Sequence, residues 1–499
     1  MSDFPEYDEI HVISDIHMGG NKVDFQILRE TERLANYIGW VGQQRPGGRV
    51  ALILNGDIID TLAEDIHGYV ATDEAIATVQ RIIKDVSFSN IWEALADFVK
   101  LEGRTLIIII GNHDIELSFP VVQRLIITYL AGADQTARAR IEFCTTGAGY
   151  TCAVGNARIY CTHGNEVDAW NYNRYEDLAK VGRRLNVGRS LSPSEWYPNA
   201  GTRMVKDIMN DVKRKFAWID LLKPETSAAV GTLLVLDPSQ ASKINKLLPI
   251  VGEKVGGQKQ IDQRLSAEGF HQPSQGTAIP FTADRLLGPN LKAGLLGATA
   301  TDTRSADDML LAAEKSFRTG AQTVLAANST LGTPQLIWDS LTGWMRGVGK
   351  DEALRRALKD WLADDKTFDI SDQDDTYKQV TAAVGSSIDF IITGHTHLER
   401  AINMGGGRYY FNSGTWIRLL QFTEAMLKDT ASFKPVYDVL INGKMEAIDQ
   451  ARFDNQPFVM DQTSAISIKK ESGKVVGRLT HVVGDGSGLP LEIKKFPEQ

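Results

Sequence analysis

Six short apolar runs, each stopping at glycine or polar residues, limit what this chain can fold into. They are Glu9–Ser14 into Asp15, Val50–Asn55 into Gly56-Asp57, Thr105–Ile110 into Gly111-Asn112-His113-Asp114, Ala157–Thr162 into His163, Asp389–Thr393 into Gly394-His395-Thr396-His397, and Arg408–Phe411 into Asn412-Ser413-Gly414. Runs this short and this rich in Ile, Val, Leu and Tyr read as strands buried on both faces. Helical periodicity fills the early gaps, at Phe25–Trp40, at Ala75–Leu101 with a break near 87–90, and at Val121–Leu130. Strands alternating with helices predict an α/β architecture. In open α/β sheets the loops that leave the C-terminal strand ends converge there, and ligands bind there. The runs therefore deliver His, Asp and Asn side chains to one edge.

The spacing of these residues predicts the domain plan. Asp15, Asp57, Asn112 and His163 follow one another at 42, 55 and 51 residues, whereas His163 to His395 spans 232. Helix-like stretches at Arg203–Leu222, Ala306–Arg318 and Asp351–Asp364 alternate in that gap with Gly/Pro/Thr/Gln-rich loops such as 251–258 and 269–280. The expected plan is a core in two parts, 1–169 and 386–420, interrupted by a mostly helical insertion or cap at 170–385. Part of 250–305 reads equally as disordered. Residues 421–499 are expected to add strands that complete or extend the core: Val436–Ile441, an Asn442-Gly443 turn, Lys444–Ile448, Ala465–Lys470, a Ser472-Gly473 turn and Val475–Val483. Asn-Gly and Ser-Gly are both hairpin signals.

Composition excludes several classes. The 54 Lys and Arg against 63 Asp and Glu give a net charge of −9, which disfavours a stable nucleic-acid complex. Cys144, Cys152 and Cys161 are odd in number and match no zinc spacing, so neither a disulfide framework nor a structural zinc site is expected, and a reducing, cytoplasmic compartment fits. The N-terminus has no apolar signal-peptide core. The longest apolar runs, 106–110 and 228–236, are too short to span a membrane, although the second leaves lipid contact open beside its reading as a buried cap helix.

Five of the nine histidines fall at the predicted strand ends: His17, His113, His163, His395 and His397. With Asp15, Asp57 and Asn112 beside them, this donor set suits Mn, Fe, Zn or Ni in an imidazole–carboxylate site. Asp15 and His17 are two residues apart, as are His395 and His397. In an extended segment both members of each pair would point the same way.

D-x-H, G-D, G-N-H-D, H and G-H-x-H, in that order, resemble the calcineurin-like metallophosphoesterase superfamily. Here they are Asp15-Ile16-His17, Gly56-Asp57, Gly111-Asn112-His113-Asp114, His163 and Gly394-His395-Thr396-His397, with Asn412-Ser413-Gly414-Thr415-Trp416 resembling the closing strand. The resemblance covers roughly 8–165 and 388–417. It implies a four-layer αβ-βα sandwich holding two divalent metal ions, Mn first, with Fe, Zn or Ni as alternatives. One ion would take Asp15, His17, Asp57 and His397; the other would take Asp57, Asn112, His163 and His395, with Asp57 bridging. The implied chemistry is attack on a phosphoester by a metal-bridging hydroxide. His113 would be the general acid at the leaving oxygen, and Asp114 would orient His113 or support the ligands from behind.

The box Gly56-Asp57-Ile58-Ile59-Asp60 and the long insertion look closest to the bacterial phosphodiesterase and UDP-diacylglucosamine pyrophosphate hydrolase-like branch. Those lipid-precursor hydrolases commonly carry Arg at the position of His113. The His here favours a general-acid phosphodiesterase or phosphatase over a pyrophosphate hydrolase. The protein-phosphatase boxes GD-x-x-D-R-G and GNHE are absent. A non-catalytic protein-binding scaffold on the same fold is the reading from a different class, and scaffold members tend to lose ligands that this chain keeps. Asp60 and Asp168 each suit either a hydrogen bond to a ligand histidine or a helix N-cap. Lys180, Arg183 and Arg184 read either as a solvated helix face or as contacts to substrate phosphate. His11, His67, His271 and His481 read as ordinary structural or surface histidines.

Overall fold

The computed structural model describes residues 4–168, 170–189, 196, 198–222, 349–361 and 368–498. The expected helix Ala306–Arg318, the apolar run 228–236 and the loop-rich stretch 250–305 lie outside the described residues. In chain order the strands are β1 (Glu6–Tyr7), β2 (Glu9–Ile13), β3 (Val50–Asn55), β4 (Arg104–Ile109), β5 (Ile141–Cys144), β6 (Tyr150–Val154), β7 (Ala157–Cys161), β8 (Phe390–Thr393), β9 (Arg400–Gly405), β10 (Arg408–Asn412), β11 (Arg418–Leu420), β12 (Arg452–Phe453), β13 (Gln456–Pro457), β14 (Val459–Asp461), β15 (Ser464–Glu471), β16 (Lys474–Val482) and β17 (Pro490–Phe496). The helices of six or more residues are α1 (Thr31–Gly42), α2 (Ala75–Lys84), α3 (Ser89–Lys100), α4 (Pro120–Ala131), α5 (Tyr175–Asn186), α6 (Lys350–Trp361), α7 (Asp375–Ala383), α8 (Thr430–Asn442) and α9 (Met445–Gln450).

All six apolar runs form strands. They divide between a seven-stranded sheet, ordered β17-β16-β15-β2-β3-β4-β5, and a six-stranded sheet, ordered β1-β6-β7-β8-β10-β9. Strands β2 to β5 are mutually parallel, as are β7, β8 and β10. Alternation along each strand shows why the runs are apolar throughout. Ile10, Val12, Ala51, Ile53, Ile107 and Ile109 join Cys152, Ile159, Phe390, Ile392 and Phe411 in one buried cluster between the sheets. Leu52, Leu54, Leu106 and Ile108 face outward onto a second cluster with Leu34, Ile38, Val79, Ile91, Leu95 and Val122 from α1 to α4. On the far side, Val380 of α7 packs with Ile391, Ile402 and Tyr410. The layers therefore run helix, sheet, sheet, helix, the arrangement that the family resemblance implies.

After residue 420 three expectations fail, two strands and a hairpin, and three hold: Ala465–Lys470 and Val475–Val483 form β15 and β16, and Ser472-Gly473 joins them. Val436–Ile441 and Lys444–Ile448 are not strands but parts of α8 and α9. Asp429 caps α8 by accepting a hydrogen bond from Ser432 N, and Phe433, Val436, Tyr437 and Leu440 are buried at helical spacing. Asn442-Gly443 is accordingly no hairpin: Gly443, at φ 77°, is the left-handed C-cap of α8. Ser472-Gly473 does turn the antiparallel pair β15–β16, with both residues at positive φ. Segment 417–459 also packs apart from the sheets. Its Ile417, Leu419, Phe433 and Leu440 share a separate cluster with Met204, Ile208, Trp218 and Leu221, and with Leu354 and Leu358 of α6. Only β15 to β17 extend the core.

Candidate metal centre

The C-terminal ends of β2, β3 and β4 in one sheet meet those of β7 and β8 in the other. The loops leaving them are laced together. Asp15 N donates to Gly56 O at 3.1 Å, Ile16 N and His17 N donate to Asp57 O at 2.9 Å, and Gly394 N donates to His163 O at 2.8 Å. Asp15 and His17 do not alternate along an extended segment. Both have left-handed backbones, at φ 53° and 52°, as do Asp57 at 51°, His395 at 72° and His397 at 61°. A left-handed non-glycine residue costs on the order of 1–3 kcal/mol and concentrates at functional sites. The pairs still converge, through paired left-handed kinks rather than through strand alternation.

Three donor groups result among the described residues: one joins His17, Asp60 and His113, and the other two share the Asp57 carboxylate. Ligand atoms of Asp15, His17, Asp57 and His397 lie within 4.8 Å of one another, and so do those of Asp57, His163 and His395. His17 Nε2 is 3.2 Å from His397 Nε2, His397 Nε2 is 3.3 Å from Asp15 Oδ1, and His163 Nε2 is 3.2 Å from Asp57 Oδ2. Donors held about 2.1 Å from one cation sit roughly 3.0–3.5 Å apart, so this spacing suits an ion. The polar accounting points the same way: Asp15 Oδ1, Asn112 Oδ1 and His395 Nδ1 are buried and accept no hydrogen bond. A buried polar atom left so costs about 1–3 kcal/mol unless something fills the place. The His and Asp side chains of these groups therefore suit a metal ion, and Asn112 Oδ1 is a further buried acceptor without a hydrogen bond.

The glycines of the motifs have a steric cause. A Cβ at Gly111 would lie 2.1 Å from Asp57 Oδ1, and one at Gly56, itself at φ 89°, would lie 2.3 Å from His163 Nδ1.

Supporting groups fix several of these side chains. Asp15 Oδ2 accepts from Ser14 Oγ at 2.5 Å and from His395 N at 3.0 Å. His163 Nδ1 donates to Asn55 O at 2.7 Å, which leaves Nε2 turned to Asp57. Asp168 Oδ2 accepts from His395 Nε2 at 2.8 Å. Asp60 caps the turn at 61–63 through Ala63 N, as one reading has it, and its hydrogen bond to a histidine goes to His113 Nδ1 at 3.2 Å, with the candidate ligand His17 Nδ1 at 3.6 Å.

Asp114 does not orient His113. Its buried carboxylate accepts from Gly111 N at 2.6 Å and from Ile58 N at 2.7 Å, tying the loops after β4 and β3 together. The carboxylate at His113 is Asp60, 53 residues back in the chain. His113 is more exposed than the ligand histidines, with an 18% accessible side chain, and its ring meets His17 edge-on at 4.8 Å.

Without bound cations the site is electrostatically tense. Burial works to lower the His163 pKa, but Asp57 beside it, helped by Asp15, raises it to about 10. Burial works to raise Asp57, but His163 and His113 hold it well below the usual carboxylate range. Burial raises Asp15, and so does Asp57, against the opposing pull of His163 and His17. Burial and then Asp57 push Asp114 up to about 7. Burial pushes Asp168 up, but His395 outweighs it and brings the carboxyl down to about 2.

The remaining candidates lie elsewhere. Lys180, Arg183 and Arg184 join Arg189, Val187 and Asp177 around a surface cavity of about 520 Å³ on α5, outside the donor groups. His11 is buried between Glu9 and Tyr37, His481 bonds Glu399, and His67 is an exposed partner of Glu74. His271 lies outside the described residues. Among the described residues no helix is long and apolar enough to cross a membrane.

Residues 9–221 match the family described as calcineurin-like phosphoesterase. No curated protein matches the chain, and no solved structure does. The family match supports the superfamily that the motifs resemble, and it ends before His395 and His397. The fold itself brings those two histidines to Asp15 and Asp57.

Proposed function

We propose that the chain is a dinuclear-metal-dependent phosphoesterase hydrolysing a phosphodiester or a phosphomonoester. The observation that carries this reading is the pair of buried donor groups sharing Asp57, lined by acceptors that nothing in the protein satisfies. Asp15, His17, Asp57 and His397 would hold one divalent ion and Asp57, Asn112, His163 and His395 the other, manganese being the first choice for these donors. Two such ions would supply an activated water nucleophile and neutralise charge on the phosphate oxygens.

The chain's own residues do the rest. His113, at the exposed rim and held at Nδ1 by Asp60, protonates the leaving oxygen through its other ring nitrogen. Asp114 keeps the loops that carry Asp57 and Asn112 in register. The histidine at this rim supports general-acid ester hydrolysis over the lipid pyrophosphatase reading within the bacterial phosphodiesterase-like branch.

A cap over the strand ends is part of the proposal, with the core at 1–169 and 386–420. In its support, Asn210 Nδ2 donates to Leu62 O, Lys206 Nζ to Ile66 O, and Tyr69 OH to Asp207, which fastens the helical run 200–213 onto the loop that follows Asp57.

Hydrolysis of bis(4-nitrophenyl) phosphate and 4-nitrophenyl phosphate with added Mn²⁺ tests the reading. Turnover that vanishes in Asp57→Asn supports it. No turnover of either ester by metal-loaded protein overturns it and favours a protein-binding scaffold.

A further inference from the structure

We infer that Asp168 and Asn171 form one orientation bracket that sets the second metal position, independently of the first. The inference rests on the dinuclear reading and deepens it.

Of the three ligands peculiar to this position, Asn112 and His395 come from different sheets. Asn112 follows β4 of the seven-stranded sheet, and His395 follows β8 of the six-stranded one. A single short segment after His163 reaches both. His395 Nε2 donates to Asp168 Oδ2 at 2.8 Å, Asn171 Nδ2 donates to the same oxygen at 2.7 Å, and Asn112 Nδ2 donates to Asn171 Oδ1 at 3.5 Å.

The direction of every link follows from Asp168. A carboxylate only accepts, so the His395 proton must sit on Nε2, which turns the Nδ1 lone pair inward. The same oxygen forces Asn171 to present its amide nitrogen to Asp168, and therefore its carbonyl oxygen to Asn112. Asn112 must then spend its own NH₂ on Asn171, which turns Oδ1 inward. His395 Nδ1 and Asn112 Oδ1 are both among the buried atoms that accept no hydrogen bond. One carboxylate thus fixes a histidine tautomer and an amide orientation at once.

The bracket is itself anchored. Asp168 Oδ1 accepts from Trp170 N at 2.9 Å, Asn165 Nδ2 donates to Asn171 O at 3.1 Å, and Gly201 N donates to Trp170 O at 2.7 Å. A Cβ on Gly201 would fall 1.9 Å from Asn171 Oδ1, so the neighbouring helical turn leaves room for that carbonyl alone. The first metal position depends on other groups: Asp15 is held by Ser14 and by the backbone N–H of His395, which Asp168 does not touch, and His17 Nδ1 lies 3.6 Å from Asp60.

The test is manganese binding to the full chain. Ion stoichiometry and affinity are read by equilibrium dialysis with elemental analysis, and the coupled Mn²⁺ pair is read by electron paramagnetic resonance. Wild type should take up two ions. Asp168→Ala should bind its second ion 10- to 100-fold more weakly and show a mononuclear spectrum at sub-saturating metal, while its first ion binds as in wild type. Asn171→Ala releases only Asn112, so its loss should be smaller, and the double variant should be no worse than Asp168→Ala. Both side chains are only half-buried, and melting of the metal-free variants separates misfolding from ligand loss. If Asp168→Ala does not fold, Asn171→Ala alone carries the test. Wild-type affinity for the second ion in the folded variants overturns the bracket alone. A wild type that never binds a second ion overturns both the bracket and the dinuclear reading.

Discussion

Asp15→Asn should stabilise the metal-free protein and weaken the metal-loaded one, so that the two melting curves exchange order. Asp15 is fully buried, with a left-handed backbone at φ 53°. Its Oδ1 accepts no hydrogen bond, while Oδ2 accepts from Ser14 Oγ and His395 N. Burial, reinforced by Asp57, raises its pKa, so the metal-free fold disfavours its ionised form. Asparagine has the same shape, tolerates the left-handed region better and keeps an acceptor for Ser14 and His395. It replaces the unsatisfied anionic oxygen with a neutral NH₂ beside His397 Nε2. Relief of an unsatisfied buried acceptor is worth about 1–3 kcal/mol. At about 1 °C per kcal/mol for a chain this long, the melting midpoint in EDTA should rise by about 1–3 °C. In excess manganese the order should reverse. A ligand at 1,000 times its dissociation constant adds about 4 kcal/mol to whatever binds it, and the variant lacks one of four donors to the first ion. Differential scanning fluorimetry with EDTA and with manganese measures both midpoints. An Asp15→Asn protein that melts at or below wild type in EDTA would refute the argument that these loops are arranged at the expense of the metal-free fold.

Four other outcomes follow from the same geometry. Asp114→Ala leaves Ile58 N and Gly111 N as buried orphans, so it should cost about 2–6 kcal/mol in urea denaturation, whereas Asp60→Ala should lower turnover with a much smaller loss of stability. His163 titrates at about 10 in the metal-free fold against about 6.5 unfolded, so its stabilising effect is complete below pH 6.5 and lost as pH rises toward 10. Its full size is on the order of 5 kcal/mol, counted once with Asp57, and urea midpoints in EDTA should fall over that window in wild type but stay flat in His163→Asn. Gly111→Ala drives a methyl group onto Asp57, so elemental analysis should find both ions lost from a protein that still folds. His113→Ala should retain both ions and lose roughly 10²- to 10⁴-fold in turnover, most of all on esters with poor leaving groups; loss of both ions instead would remove its assignment as acid.

The layered core was legible because its cause is local. A strand buried on both faces must be apolar at every position, and β2, β3, β4, β7 and β8 announce themselves in five or six residues each. What failed was the use of short apolar patterns where helix and strand both fit. Val436 to Ile441 contains three adjacent large aliphatic residues, and Asn442-Gly443 is as good a helix C-cap as it is a hairpin turn. Ser472-Gly473 makes the same two-residue signal and is a hairpin, because the residues on either side pair across β15 and β16 rather than burying every third or fourth side chain. Nothing in the dipeptide itself separates the two cases.

The candidate ligands were legible for a different reason: each needs its own residue type at a strand end, and the type is visible wherever the strand is. The groups that aim them were legible only as candidates: Asp60 and Asp168 stood out as possible histidine partners, but which histidine each meets was not legible, because an aiming group needs only a donor or an acceptor at the right point in space. Asp60 reaches His113 across 53 residues and Asp168 reaches His395 across 227. Asp114 shows the converse. Its neighbour in sequence is His113, and adjacency suggests a pair, yet the chain direction there carries the two side chains apart and leaves Asp114 facing the backbone of another loop. The left-handed conformations follow the same logic. Asp15, His17, Asp57, His395 and His397 adopt them because five loops from two sheets must deliver side chains into one small volume, a demand that no window of sequence contains. Strain of that kind persists only where surrounding structure over-determines it, and the lacing of Asp15, Ile16 and His17 onto Gly56 and Asp57 is the part of the fold that does so.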